Sequence, residues 1–141
     1  MNSVRFIVHG APVAKGRGRA GNGNVVYTPE KTRKYENTVG WCAAQAMAGE
    51  LPFDAPCRMT LRAYVAIPQS WSLKKQAAAE RGEVVPGGRP DLDNFLKAAL
   101  DGINQIVVRD DSLVVRIEAS KTYDRKPRLE IEIETFRERA A

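Results

Sequence analysis

Arg89-Pro90-Asp91-Leu92-Asp93-Asn94-Phe95-Leu96-Lys97-Ala98-Ala99-Leu100-Asp101-Gly102 is the stretch on which the reading of the fold turns. Pro90 suits the place just before or at the first helical position, and Asp91 suits the cap, where a carboxylate meets orphan backbone N–H groups. Leu92, Leu96, Ala99, Leu100 and Ile103 recur at helical spacing and predict a buried stripe. Asp93, Lys97 and Asp101 step by four and share a different face. Gly102 reads as the stop signal. The stretch is therefore an amphipathic helix with carboxylates crowded at its start.

A second acidic pair follows. Asp110-Asp111 comes after Ile106-Val107-Val108 and stands at the head of the next β-branched run. Adjacent acids are poor strand formers, so strand propensity does not explain them. If that strand doubles back beside the helix, the two pairs meet. One acidic pair at a helix start is accounted for by the helix dipole, which favours each carboxylate by about 0.3–1 kcal/mol. Two pairs are harder to explain, because carboxylates about 4 Å apart repel by roughly 4 kcal/mol at an effective dielectric of 20. Such a cluster needs a bound cation or partial protonation. Oxygen donors without His or Cys suit Mg²⁺, or Mn²⁺, rather than Zn²⁺.

Asp91-Leu92-Asp93-Asn94, Lys97 and Asp110-Asp111-Ser112 resemble, in order and spacing, the signature of the RusA-type Holliday junction resolvases. Lys15-Gly16-Arg17, Val26-Tyr27-Thr28-Pro29 and Ser70-Trp71-Ser72 are similar to segments of its phage and prophage members, and the resemblance spans about residues 4 to 135. It implies a small homodimeric, Mg²⁺-dependent endonuclease acting on four-way DNA junctions. It also implies that Asp91, Asp93 and Asp111 are the essential metal-site residues and that Lys97 is needed for activity. Asp110 is a weaker metal candidate.

Charge placement fits a nucleic-acid partner. The first forty residues hold seven Lys/Arg and two Asp/Glu, whereas the remainder holds fifteen of each, so the whole net charge of +5 sits in that first segment. A basic segment on an otherwise neutral body suggests polyanion binding. Within it, Lys15 to Asn24 alternates glycine with cations, which neither holds a helix nor packs a core. It reads as an arm that orders on phosphates, with Lys15, Arg17 and Arg19 as contacts. Arg33, early in the next helix, Arg89, before the acidic helix, and Lys121, in a late strand, are further DNA-binding candidates. The loop 82–90 runs into the acidic helix and reads as an active-site lid.

At 141 residues, 43% of them hydrophobic, the chain is long and apolar enough for one domain with a real core. No apolar run approaches a membrane span and no signal-peptide core is evident, so a cytoplasmic protein without a membrane partner is expected. Cys42 and Cys57 lack metal-ligand spacing and read as reduced, buried thiols. His9 has no supporting partners in sequence and reads as a strand-end residue.

Val4, Phe6 and Val8 alternate in a first strand. Thr28 caps and Pro29 opens a helix whose stripe is Tyr35, Val39, Cys42, Ala43, Ala46 and Met47. Cys57 to Ile67 alternates clearly as a strand. Ser70 caps a short helix through Arg81, with Trp71 packing on the sheet. Two last strands, about 113–120 and 129–134, are expected to form a hairpin with one solvated face. The class is α+β: a mixed sheet with helices packed on one face. The function expected is a Mg²⁺-dependent, structure-selective DNA endonuclease that resolves four-way junctions by paired nicks. A DNA-binding protein that does not cleave, a carboxylate–metal nuclease for flaps or other branched DNA, and a metal-dependent transferase on nucleotides or sugars are the competing readings.

Overall fold

The structure, a computed structural model, describes residues 1–13, 19–20, 26–27 and 30–136. Alternation builds the sheet. Strand β1 (Ser3–His9) buries Val4, Phe6 and Val8 and exposes the residues between them. Strands β2 (Arg19–Ala20) and β3 (Val26–Tyr27) pair with each other as a separate small antiparallel sheet. Helix α1 (Glu30–Met47) buries Tyr35, Val39, Ala43 and Met47 at helical spacing. The expected cap and opening of this helix, Thr28 and Pro29, lie outside the described residues. Strand β4 (Cys57–Ala66) and helix α2 (Leu73–Glu80) follow. The cap of α2 is Ser72, whose hydroxyl accepts from the N–H of Lys75, rather than Ser70. Helix α3 (Leu92–Ile103), a 3-10 turn (Asp111–Leu113), strand β5 (Val114–Asp124) and strand β6 (Arg128–Thr135) complete the order.

The four-stranded mixed sheet has the order β1-β6-β4-β5. β6 runs antiparallel to both β1 and β4, and β4 runs parallel to β5. The expected β5–β6 hairpin is therefore absent, because β4 lies between the two strands. Burial explains the insertion. Leu129, Ile131 and Ile133 of β6 are all buried, which suits a strand with neighbours on both sides. β5 is exposed along most of its first half, which suits an edge.

Helices α1 and α3 pack on one another, α1 crosses β1, and α3 meets β4 and β5. Between helices and sheet lie Val8, Val39, Met59, Leu61, Phe95, Ile103 and Ile131. The other sheet face is charged, with Arg5–Glu132 at 3.0 Å and Arg58–Glu134 at 2.6 Å. The class is α+β, as expected. Both cysteines are free thiols; Cys57 is fully buried, and burial raises its pKa. His9 is exposed at the end of β1.

Within α3 the stripe is rotated from the expected one. Phe95, Ala98, Ala99, Gly102 and Ile103 are buried, while Leu92, Leu96 and Leu100 are only partly so. Gly102 does not stop the helix, which runs on to Ile103. Its role is close approach: a Cβ there would lie 2.6 Å from Cγ1 of Val39 and 3.1 Å from the carbonyl oxygen of Glu36 on α1. Gly102→Ala should therefore force α1 and α3 apart. A loss of about 1–3 kcal/mol is expected, as for overpacked cores, read as a lowered denaturant midpoint. An unchanged midpoint would mean that the two helices do not meet this closely.

Candidate active site

The acidic residues are built on α3 and on the turn that follows it. Asp91 takes the N-cap position with extended backbone (φ −71°, ψ 147°), yet its side chain makes no capping hydrogen bond. Its oxygens are thus left available beside a helix N-terminus, where orphan N–H groups favour a negative charge. Asp93 lies in the first turn, exposed, with Lys97 Nζ 3.9 Å from its Oδ2. Both side chains of this pair are more than half exposed, so the pair itself contributes little to stability. Asn94 is half-buried on the same turn.

Lys121 holds this end of the helix in place. Its ammonium, on β5, donates to the carbonyls of Gly88 at 2.7 Å and Pro90 at 2.9 Å. The loop 82–90 is thereby tied to the sheet immediately before Asp91. At its other end Arg81 forks onto Glu83 and Arg125 reaches Glu80 at 2.6 Å. The Arg89–Pro90 peptide bond is cis, and Arg89 is exposed beside the acids. Trp71 packs edge-on against Tyr123 of β5 with centroids 5.3 Å apart, as expected of a sheet contact, and carries the Lys75 ammonium over its ring.

Asp110 and Asp111 stand at the opposite end of α3. The backbone N–H of Asp111 donates to Oδ1 of Asn104, the C-cap residue, at 3.0 Å. Asp110 caps the 3-10 turn, accepting from the N–H and hydroxyl of Ser112. That hydroxyl, and then the N–H, hold its carboxyl below the usual carboxylate range. A twelve-residue helix is about 18 Å long. β5 doubles back along α3, but its acidic head starts at the far end, so the two acidic pairs do not meet within one chain, and Lys121 is the β5 residue that reaches the loop just before Asp91. Among the described residues no three of His, Cys, Asp and Glu come together as a metal-binding group. Within one chain, then, the acids form two sets: Asp91 and Asp93 with Lys97, and Asp110 with Asp111. Sequence reasoning missed Asn104 and Lys121 as the residues that position these two sets; neither carries a local signal.

Of the basic candidates, Lys15 and Arg17 lie outside the described residues. Arg19 opens the small β2–β3 pair, and Arg33 is exposed on the first turn of α1.

A sequence profile of the family Endodeoxyribonuclease RusA matches residues 9–134. The chain belongs to the RusA endodeoxyribonuclease family. A relative of the same length class, the uncharacterized protein YqaN of Bacillus subtilis (strain 168), is 36% identical over 138 residues, covering 94% of this chain and 96% of the relative. The RusA match spans both acidic sets, the loop before α3 and Lys121. RusA membership supports endodeoxyribonuclease activity. No helix among the described residues is long and apolar enough to cross a membrane.

Proposed function

We propose that the protein is a divalent-metal-dependent endonuclease that resolves four-way DNA junctions by paired nicks, acting as a homodimer in recombination and repair. The observation that carries this reading is the uncapped Asp91 beside Asp93 and Lys97 at the start of α3, in a chain of the RusA family. Asp91 and Asp93 would hold Mg²⁺, or Mn²⁺, together with Asp111 of the partner subunit, because within one chain Asp111 stands at the far end of α3; their hard oxygen donors fit such an ion. Bound there, the ion would activate water and polarise the scissile phosphate. Lys97, one turn beyond Asp93, supplies positive charge where negative charge develops on the phosphate or leaving oxygen. Lys121 keeps the start of α3 aimed, through Gly88 and Pro90. Asp110, committed to Ser112, serves the turn that presents Asp111.

The basic first segment supplies phosphate contacts. Replacing Lys15, Arg17 and Arg19 by Ala should weaken junction binding and flatten its salt dependence. Each lost contact lowers the log–log slope by about 0.9 on duplex arms. An unchanged slope would mean that the arm does not touch DNA.

The test of the function is incubation with labelled four-way junctions, flaps, duplex and single strands, with Mg²⁺ and with chelator. Metal-dependent cleavage confined to the four-way junction is expected. Binding without cleavage would favour a binding protein, and preferential cutting of flaps a different branched-DNA nuclease.

A further inference from the structure

Trp41 is out of place as a structural residue. It is 66% exposed on α1, although an indole is a large apolar group that folded chains bury for the most part. Among the described residues it has no ring partner, whereas Trp71 has Tyr123 at its edge and Lys75 over its face. The packing of α1 makes no use of an indole here, because the helix turns Tyr35, Val39, Ala43 and Met47 inward instead.

The exposed ring belongs to the wall of a groove of about 400 Å³ between α1 and the end of α3. Close approach of the two helices shapes it. Gly40 and Gly102 both line the groove, and a Cβ on Gly40 would lie 3.1 Å from Cδ1 of Ile106 and 3.2 Å from the carbonyl oxygen of Gly102. Bare backbone, the aliphatic end of Ile106 and an indole thus come together, which suits a flat aromatic guest. Charge narrows the choice of guest. Among the described residues that line the groove there is no lysine or arginine, while the carboxylates of Glu36 and Asp101 are present. Such a lining repels a phosphate and admits a neutral ring. The position of the groove completes the argument. Asn104 lines it, and Oδ1 of Asn104 accepts from the N–H of Asp111 at 3.0 Å. The groove is therefore one hydrogen-bonded contact away from a candidate metal ligand, where the DNA backbone is expected to pass.

We infer that the groove around Trp41 seats one unstacked base of the DNA substrate, and that Trp41 is thereby a residue that distinguishes branched DNA from duplex. The inference rests on the junction-cutting reading and deepens it. In continuous duplex every base is paired and stacked on both sides, so drawing one into the groove means unpairing and unstacking it. That penalty is smallest for a base already mismatched or single-stranded. At a branch point the stack is interrupted, and the same contact is reached at lower cost. Stacking on an indole tolerates any base, because each has a π-face. The groove therefore favours branched and single-stranded DNA over duplex without reading sequence.

Tryptophan emission tests this on the full chain. The sequence holds two tryptophans, so Trp71→Phe leaves Trp41 as the reporter. In chelator, with binding followed in parallel by anisotropy of labelled DNA, a four-way junction should quench most of the emission, and so should a single strand. Duplex of the same length, at saturating concentration, should leave the emission near that of free protein. With Trp71 in place, Trp41→Ala should weaken junction binding by about five- to a hundredfold, the range for losing one base–aromatic stack, and leave duplex binding unchanged. Trp41→Phe should keep most of the affinity, whereas Trp41→Leu, apolar but without a π-face, should not. Ala44→Leu adds bulk to the groove at an exposed position and should lose affinity as Trp41→Ala does, with an unchanged melting temperature. A junction that binds and is cut by wild type, yet leaves the Trp41 emission unquenched, overturns the base seat and leaves the resolvase reading standing. Quenching by duplex as strong as by junction, or equal losses for Trp41→Phe and Trp41→Leu, also overturns it. A wild type that cuts no junction removes the resolvase reading, while quenching by a single strand still decides the seat.

Discussion

Asp93→Asn is expected to lower junction cleavage by about 10²- to 10³-fold, on the scale of losing a central electrostatic contributor at an active site, while junction binding survives. The substitution keeps volume and shape and removes one charge from an exposed first-turn position, so the fold has little to lose. It also frees Lys97 from a weak ion pair at 3.9 Å. Without metal, binding should be no weaker than that of wild type, because a group that repels phosphate is gone. Raising Mg²⁺ should recover little activity if Asp93 is a direct ligand. Cleavage at the wild-type rate would remove Asp93, and with it the start of α3, from the catalytic account.

The second large effect concerns pairing of the two cuts. On a supercoiled plasmid carrying an extruded cruciform, wild type should give mainly linear product, because two sites act within one binding event. As Asp93→Asn chains are mixed in, dimers with one intact site should accumulate and the product should shift to nicked circle. The readout is the ratio of linear to nicked product against mutant fraction. A ratio that does not fall would mean that the two cuts come from independent encounters. A monomer at micromolar concentration that still makes paired cuts would contradict the dimer directly.

Local periodicity made much of the fold legible. Val4, Phe6 and Val8 in β1, and Cys57, Met59, Leu61 and Ala63 in β4, alternate in sequence and are buried in the structure. Each such element shows its inner face without reference to any other. The order of the strands is a long-range property, and it was misread where β5 and β6 follow closely in sequence yet flank β4. The position of Gly102 under Val39 is likewise a matter of two helices meeting, invisible from α3 alone. So is the rotation of the α3 stripe, because Leu92, Leu96 and Leu100 satisfy helical periodicity as well as Phe95 does. Which set faces the core depends on where α1 lies.

The candidate site divides in the same way. Asp91 and Asp93 were readable because a cap and a first turn are local chemistry. That Asp111 is tied to Asn104, at the other end of the helix, was not. Lys121 was read as a cation for DNA, and the structure engages its ammonium with the carbonyls of Gly88 and Pro90. A lone lysine in an alternating strand gives no hint of such a contact thirty residues away.

The central claim, a metal-dependent nuclease that cuts four-way junctions symmetrically, is tested most directly by mapping nicks on a static four-way junction. Each of the four strands is labelled in turn and the reaction is run with Mg²⁺. The account predicts one nick in each of two opposed strands, at positions related by the two-fold axis of the junction, and none with chelator present. Nicks scattered over all four strands, equal cutting of plain duplex, or cleavage that persists in chelator would contradict it.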